Sequence, residues 1–113
     1  LEPRLALMLP LMASKYWSRA EKLGKEILAA APMNYLAGSR LAYIFFSQGK
    51  YGAAEIQYKK VLEGFPSELE MMLGLGWTYL KQGRRAEAKK MFKKVLRVRR
   101  HNLNAKAGLE SLR

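Results

Sequence analysis

A period of 34 residues runs along the chain and limits the folds that it can adopt. The segment Ser47 to Tyr51 is matched by Lys81 to Arg85, one period later. The same register pairs Leu41 with Leu75, Phe45 with Tyr79, Ala54 with Ala88 and Tyr58 with Phe92, and a further step back pairs Leu7 with Leu41, Trp17 with Tyr51 and Pro32 with Pro66. A unit of this length cannot bury its apolar face alone, so successive units must stack.

Each unit reads as two helices joined by a short turn. Apolar residues recur at helical spacing and the pattern is broken at Gln48-Gly49 and Gln82-Gly83, which predicts helix pairs at 35–65 and 69–98 with turns at these breaks. Gly49 and Gly83 favour the left-handed conformation that ends a helix. Ser67 and Glu70 have the spacing of a capping box, which predicts a helix start after Pro66. We expect no strand in residues 35–98.

The residues at these positions resemble the tetratricopeptide repeat family. The family pattern is read here in Met72, Leu75-Gly76, Tyr79, Ala88 and Phe92. The resemblance is weaker in residues 1–34 and at Arg100, which stands where Pro32 and Pro66 stand in the other units. It implies an all-α, right-handed α-solenoid of about three antiparallel helix pairs. The units would be 1–34, 35–68 and 69–102, with 103–113 as a capping helix or the first helix of a further unit.

Composition excludes most catalytic chemistry within these residues. The chain has no Cys, no Asp and a single His, so thiol nucleophiles and the usual metal or phosphoryl-transfer sites cannot be assembled. We interpret His101, in the turn after the last pair, as a turn residue and not as a base. We therefore expect no enzyme activity, no cofactor and no metal. Because the chain begins with Leu1, we expect it to be part of a longer protein, and its localisation stays open.

The resemblance implies that the first helix of each unit lines an inner groove. Seven residues are the candidates for binding a partner there: Leu36, Arg40, Tyr43, Phe46, Leu73, Trp77 and Lys81. They predict an aromatic and aliphatic groove with basic residues at its rim that receives an extended or helical peptide. The alternative is that Tyr43 and Trp77 only seal the seam between units. Family members that clamp the terminal carboxylate of chaperones use Lys and Asn side chains, and that set is missing here, so we predict no chaperone adaptor.

Basic residues are concentrated near the C-terminus. Residues 81–113 hold twelve of the 21 basic residues and two of the nine acidic ones, in a chain of net charge +12. Six of them define a basic strip on one predicted helix: Arg85, Lys89, Lys90, Lys93, Lys94 and Arg97. Three interpretations stay open: a solvated outer face, a site for an acidic protein, or a site for nucleic acid or anionic lipid. Aromatic residues that could stack on bases are not interleaved with these charges, which makes the last interpretation the weakest.

Overall fold

The computed structural model describes residues 2–113 as seven α-helices, and no strand occurs in that range. The first three pairs are α1 (Leu5–Ala13) with α2 (Trp17–Ala30), α3 (Tyr35–Ser47) with α4 (Tyr51–Gly64), and α5 (Leu69–Lys81) with α6 (Arg85–Val98). A single helix, α7 (Leu103–Glu110), follows. None of these helices is long and apolar enough to cross a membrane.

The helices form two layers. Each helix packs against the next one in the chain, and α1, α3, α5 and α7 also contact one another in sequence order, which places them in one layer. No such contacts join α2, α4 and α6 among residues 2–113, so these three form the outer layer. The result is a solenoid 41 Å long and 24 by 21 Å across. The predicted all-α solenoid is confirmed.

The turns between paired helices share one geometry. Gly49 and Gly83 both have φ of 76°. The amide of the next residue donates to the carbonyl of an aromatic residue in the preceding helix, Lys50 to Phe45 at 2.9 Å and Arg84 to Tyr79 at 2.9 Å. The two turns fall where the sequence predicts them. The first pair makes the same turn with Lys15 at φ 61°, a conformation that non-glycine residues adopt at a cost of about 1 kcal/mol.

The helices α3 and α5 begin at Tyr35 and Leu69, as predicted, but their N-caps differ. Asn34 and Asn102 accept the amides of Ala37 and Ala105 at 3.0 and 2.8 Å, and so cap α3 and α7. The capping box predicted at Ser67 and Glu70 is wrong, because α5 has Glu68 at its N-cap and no side chain caps it.

Glycines on the inner helices receive aromatic rings from the outer ones. A Cβ atom at Gly74 would lie 2.4 Å from two carbons of the Tyr58 ring, and one at Gly108 would lie 2.4 Å from Cζ of Phe92. These two pairs are one period apart. The ring of each outer helix therefore fills the space of the missing side chain on the next inner helix, which is how α4 docks on α5 and α6 on α7.

We expect Gly74→Ala to lower the free energy of unfolding by about 1 to 3 kcal/mol, because the buried Tyr58 ring must move. Gly52→Ala is the matched control: Gly52 also lies within a helix, and nothing stands within 4 Å of its Cβ position. That change should raise the free energy of unfolding by about 0.5 to 1 kcal/mol, as helix propensity alone dictates. Urea denaturation followed by circular dichroism measures both, and a stabilising Gly74→Ala would contradict the proposed packing.

Candidate functional site

An open groove of about 520 Å³ lies across the inner helices α3, α5 and α7. Its walls are mainly apolar and aromatic, which is the usual make-up of a binding site. The lining residues are Ser39, Tyr43 and Phe46 from α3, Glu70, Met71, Leu73, Gly74, Trp77 and Lys81 from α5, Asn104 from α7, and Tyr58 from α4.

Five of the seven predicted groove residues line this space together. Tyr43 is the most accessible of the aromatic ones, with 52% of its surface exposed, and its ring edge packs on Trp17 at a centroid distance of 6.2 Å. Leu73 is only 2% exposed and forms part of the floor. Phe46 is half-buried and Lys81 is exposed.

The other two predicted residues, Leu36 and Arg40, do not line the groove. One guanidinium nitrogen of Arg40, Nη1, donates to the backbone carbonyl of Leu5 at 3.1 Å, and this bond ties α3 to α1. Leu36 is exposed near the start of α3. Lys81 is therefore the cation that the groove offers.

Trp77 has two roles in the geometry. Its indole nitrogen donates to Oδ1 of Asn104 at 2.6 Å, which links α5 to α7. Its ring also packs edge to face on the ring of Phe92, with 5.3 Å between the ring centroids. Phe92 is one of the most buried side chains. The side chain is half-buried and also borders the groove, so it contributes both to the contact between α5 and α7 and to the groove wall.

Tyr58 also lines the groove, although it is not among the seven predicted groove residues. Its ring is buried, and the tip passes Gly74 to reach the groove floor. Burial raises the pKa of this phenol, with a smaller contribution from Tyr43, so the hydroxyl stays protonated in neutral solution. The sequence feature that could have indicated this position of Tyr58 is Gly74, because a glycine leaves room for a ring from the preceding unit.

A smaller cavity of about 280 Å³ lies between the first two pairs, beside the turn that contains Met33 and Asn34. One of its polar lining groups, the Gln57 amide, already donates to the carbonyl of Gly38 at 3.3 Å. The cavity is smaller than the groove and is bordered by residues of both units. The groove is therefore the better candidate for a binding site.

The six residues of the basic strip are all exposed on α6, away from the groove. Arg85 donates to the backbone carbonyl of Leu112. The remaining five form no salt bridge with any residue in the part of the chain that the structure describes. His101 lies exposed in the turn between α6 and α7.

An α-solenoid of paired helices with an open apolar groove along its inner layer defines the class of helical-repeat proteins. The model of the family described as "Tetratricopeptide repeat" matches residues 35–101, more than half of the chain. The chain belongs to the tetratricopeptide repeat family. No curated protein matches it in sequence.

Solved structures with the same fold share little sequence with this chain. The first repeat domain of Spaghetti (RPAP3), bound to the HSP90 peptide SRMEEVD, has a TM-score of 0.91 and 18% identity over 96% of this chain and 86% of that one. The second such domain of human RPAP3, in complex with the HSP70 peptide SGPTIEEVD, has a TM-score of 0.90 and 21% identity, over 96% of this chain and 91% of that one. MamA from Desulfovibrio magneticus has a TM-score of 0.91 and 15% identity, over 97% of this chain and 62% of that one. At this level of identity the likeness concerns the fold.

Proposed function

We propose that this chain is a non-catalytic protein-interaction module that binds a segment of another protein in the groove of α3, α5 and α7. The main support for this proposal is the groove itself, which is an open, mainly apolar space large enough for a peptide side chain and its backbone. Family membership supports the class of function, since the structurally similar RPAP3 domains hold peptides.

The groove chemistry supports a peptide with an apolar anchor. The anchor would lie on the floor formed by Leu73 and Gly74, between the rings of Tyr43 and Trp77. The Tyr58 hydroxyl lies beside Gly74 at the groove floor and would donate to a carbonyl of the bound peptide. Lys81 at one end would favour an acidic group beside the anchor.

The same chemistry argues against the kind of peptide bound by the RPAP3 domains. Both of those peptides end in Glu-Glu-Val-Asp. The family resemblance implies that such an acidic end is clamped by several Lys and Asn side chains. This groove offers one Lys, Lys81, and one Asn, Asn104, whose Oδ1 already accepts the Trp77 indole N–H, and the carboxylate of Glu70 lines the same space. We therefore propose that the bound segment is internal or apolar at its anchor, and not an acidic C-terminus.

Tyr43→Ala tests the proposal more cleanly than a change at Trp77, because Trp77 also packs on the core residue Phe92. Peptides would first be selected from a phage-displayed random library with the wild-type chain. We expect Tyr43→Ala to weaken the selected peptides by about tenfold or more, as the loss of an aromatic anchor does. Isothermal titration calorimetry provides the affinities.

Tyr16→Ala is the matched control, because Tyr16 is 56% exposed and does not line the groove. It should leave the affinity within about twofold, since a surface ring outside the site contributes little. Equal losses in the two variants, or selection of peptides ending in Glu-Glu-Val-Asp, would contradict the proposal.

A further inference from the structure

A carboxylate joins the first unit to the second. Glu21 on α2 accepts hydrogen bonds from Lys25, one helical turn on, at 2.6 Å and from Lys50, in the next turn between helices, at 2.8 Å. The two ammonium groups lie 5.7 and 6.0 Å from the centre of the Phe45 ring. The carboxylate thus stands between two cations and connects the outer helix of one unit to the turn of the next.

The same arrangement recurs one period later. Glu55 on α4 accepts from Lys59 at 2.7 Å and from Arg84 at 2.6 Å, and both cations lie over the Tyr79 ring, at 5.7 and 4.4 Å. Every member is 34 residues beyond its counterpart at the first junction. We call each of these arrangements an ionic junction.

Both carboxylates are well enclosed. Their side chains are only 14% and 16% exposed, because the following unit covers them. The hydrogen bonds from Lys25 and Lys50 lower the pKa of Glu21 to about 2, and bonds from Lys59, Gln82 and Arg84 lower the pKa of Glu55. Each carboxylate also relieves the repulsion between its two cations.

The charge is reversed at the third position of this series. Lys89 stands one period after Glu55, and Lys93 one period after Lys59. Both side chains are exposed on α6 and neither pairs with a carboxylate in residues 2–113. Two ammonium groups four residues apart on a helix repel each other by about 0.2 to 0.5 kcal/mol. The second and third units each supply a cation to the preceding junction, Lys50 and Arg84. A polypeptide that placed a cation beside Lys89 and Lys93 in the same way would be repelled.

We propose that Lys89 and Lys93 form a docking site for an acidic segment of another polypeptide, one that supplies the carboxylates that residues 2–113 do not provide at this junction. The two lysines lie about 6 Å apart along α6, from the rise of the helix. Glutamate or aspartate residues four positions apart on a partner helix have the same separation. The site is separate from the groove, so it does not depend on the function proposed above.

A polypeptide fits this site better than a phosphate polymer. The junctions to which it corresponds are filled by protein side chains, and the carboxylates at Glu21 and Glu55 are held singly between defined cations. Phe92, the aromatic residue nearest in sequence, is fully buried and offers no surface for stacking a base. A phosphate polymer would be attracted by the whole basic strip with no preference for this pair of lysines.

The test compares two double variants of equal charge. One is Lys89→Glu with Lys93→Glu, and the other is Lys90→Glu with Lys94→Glu, on the adjacent side of the same helix. The probe is an alanine-based helical peptide with Glu at every fourth position, titrated at physiological salt. We expect the first variant to lose about tenfold or more in affinity and the second less than about threefold, because a contact is lost only in the first.

Three outcomes would overturn the proposal. One is an absence of binding by the wild-type chain, and another is an equal loss in the two variants, which indicates unspecific attraction. The third is tighter binding of polyphosphate or of single-stranded oligothymidine than of the acidic peptide, with both variants affected, which indicates a phosphate-polymer site. Circular dichroism of each variant verifies that the helices are retained.

Discussion

Deleting residues 103–113 should lower the free energy of unfolding by about 3 kcal/mol or more, a large share of the margin of a small domain. In the intact chain, α7 covers the ring of Phe92 with Gly108 and buries Ala105. Its Asn104 also accepts the indole N–H of Trp77. Without α7, the apolar surface of the third pair is exposed to water, where each large side chain loses about 1.5 to 3 kcal/mol of burial.

Thermal and urea denaturation of the truncated chain measure this loss. Leu103→Ala is the control within the same helix, because Leu103 is mostly exposed and its replacement should change stability by no more than about 0.5 kcal/mol. An unchanged melting temperature after the truncation would contradict the role of α7 as the layer that covers the third pair.

The fold could be predicted from the sequence because the second and third units present the same local signals one period apart. Gly49 and Gly83 indicate their turns because glycine adopts a positive φ without steric cost, whatever its neighbours are. Lys15 makes the equivalent turn without that signal, so the first turn could be placed only by counting one period back. The period therefore carried more information than any single residue.

The N-cap of α5 shows where a local rule fails. Ser67 and Glu70 satisfy the spacing of a capping box, yet Glu68 stands at the N-cap. The carboxylate of Glu68 accepts the Tyr35 hydroxyl at 3.1 Å, a contact between residues 33 positions apart. A local sequence pattern does not include a partner that lies this far away in the chain.

The candidate groove was partly visible in the sequence. Tyr43, Phe46 and Trp77 could be placed on it because inner helices present the same face in every unit. Arg40 has the same register but bonds to the Leu5 carbonyl, and Tyr58 reaches the groove from an outer helix. The positions of both side chains depend on how far each one reaches into a neighbouring unit, and the repeat period does not predict that reach. Whether these residues bind a partner stays a prediction.

Phe92→Ala should destabilise the chain by about 3 to 5 kcal/mol, the usual loss for a buried aromatic residue that leaves a cavity. Phe92 is fully buried, and its ring stands against the backbone of Gly76 and Gly108 and packs edge to face on Trp77. It therefore joins α5, α6 and α7. Two of these neighbours are glycines, which have no side chain that could move into the vacated space.

Phe46→Ala is the matched control, because Phe46 is half-buried at the groove and pairs with Tyr51 at 5.4 Å. Its loss should be smaller than that of Phe92→Ala by about 1 kcal/mol or more, since less area is returned to water and no closed cavity forms. Urea denaturation of both variants gives the comparison. A loss below about 1 kcal/mol for Phe92→Ala would mean that α7 shifts to close the cavity, and that the glycine contacts do not hold the third pair in place.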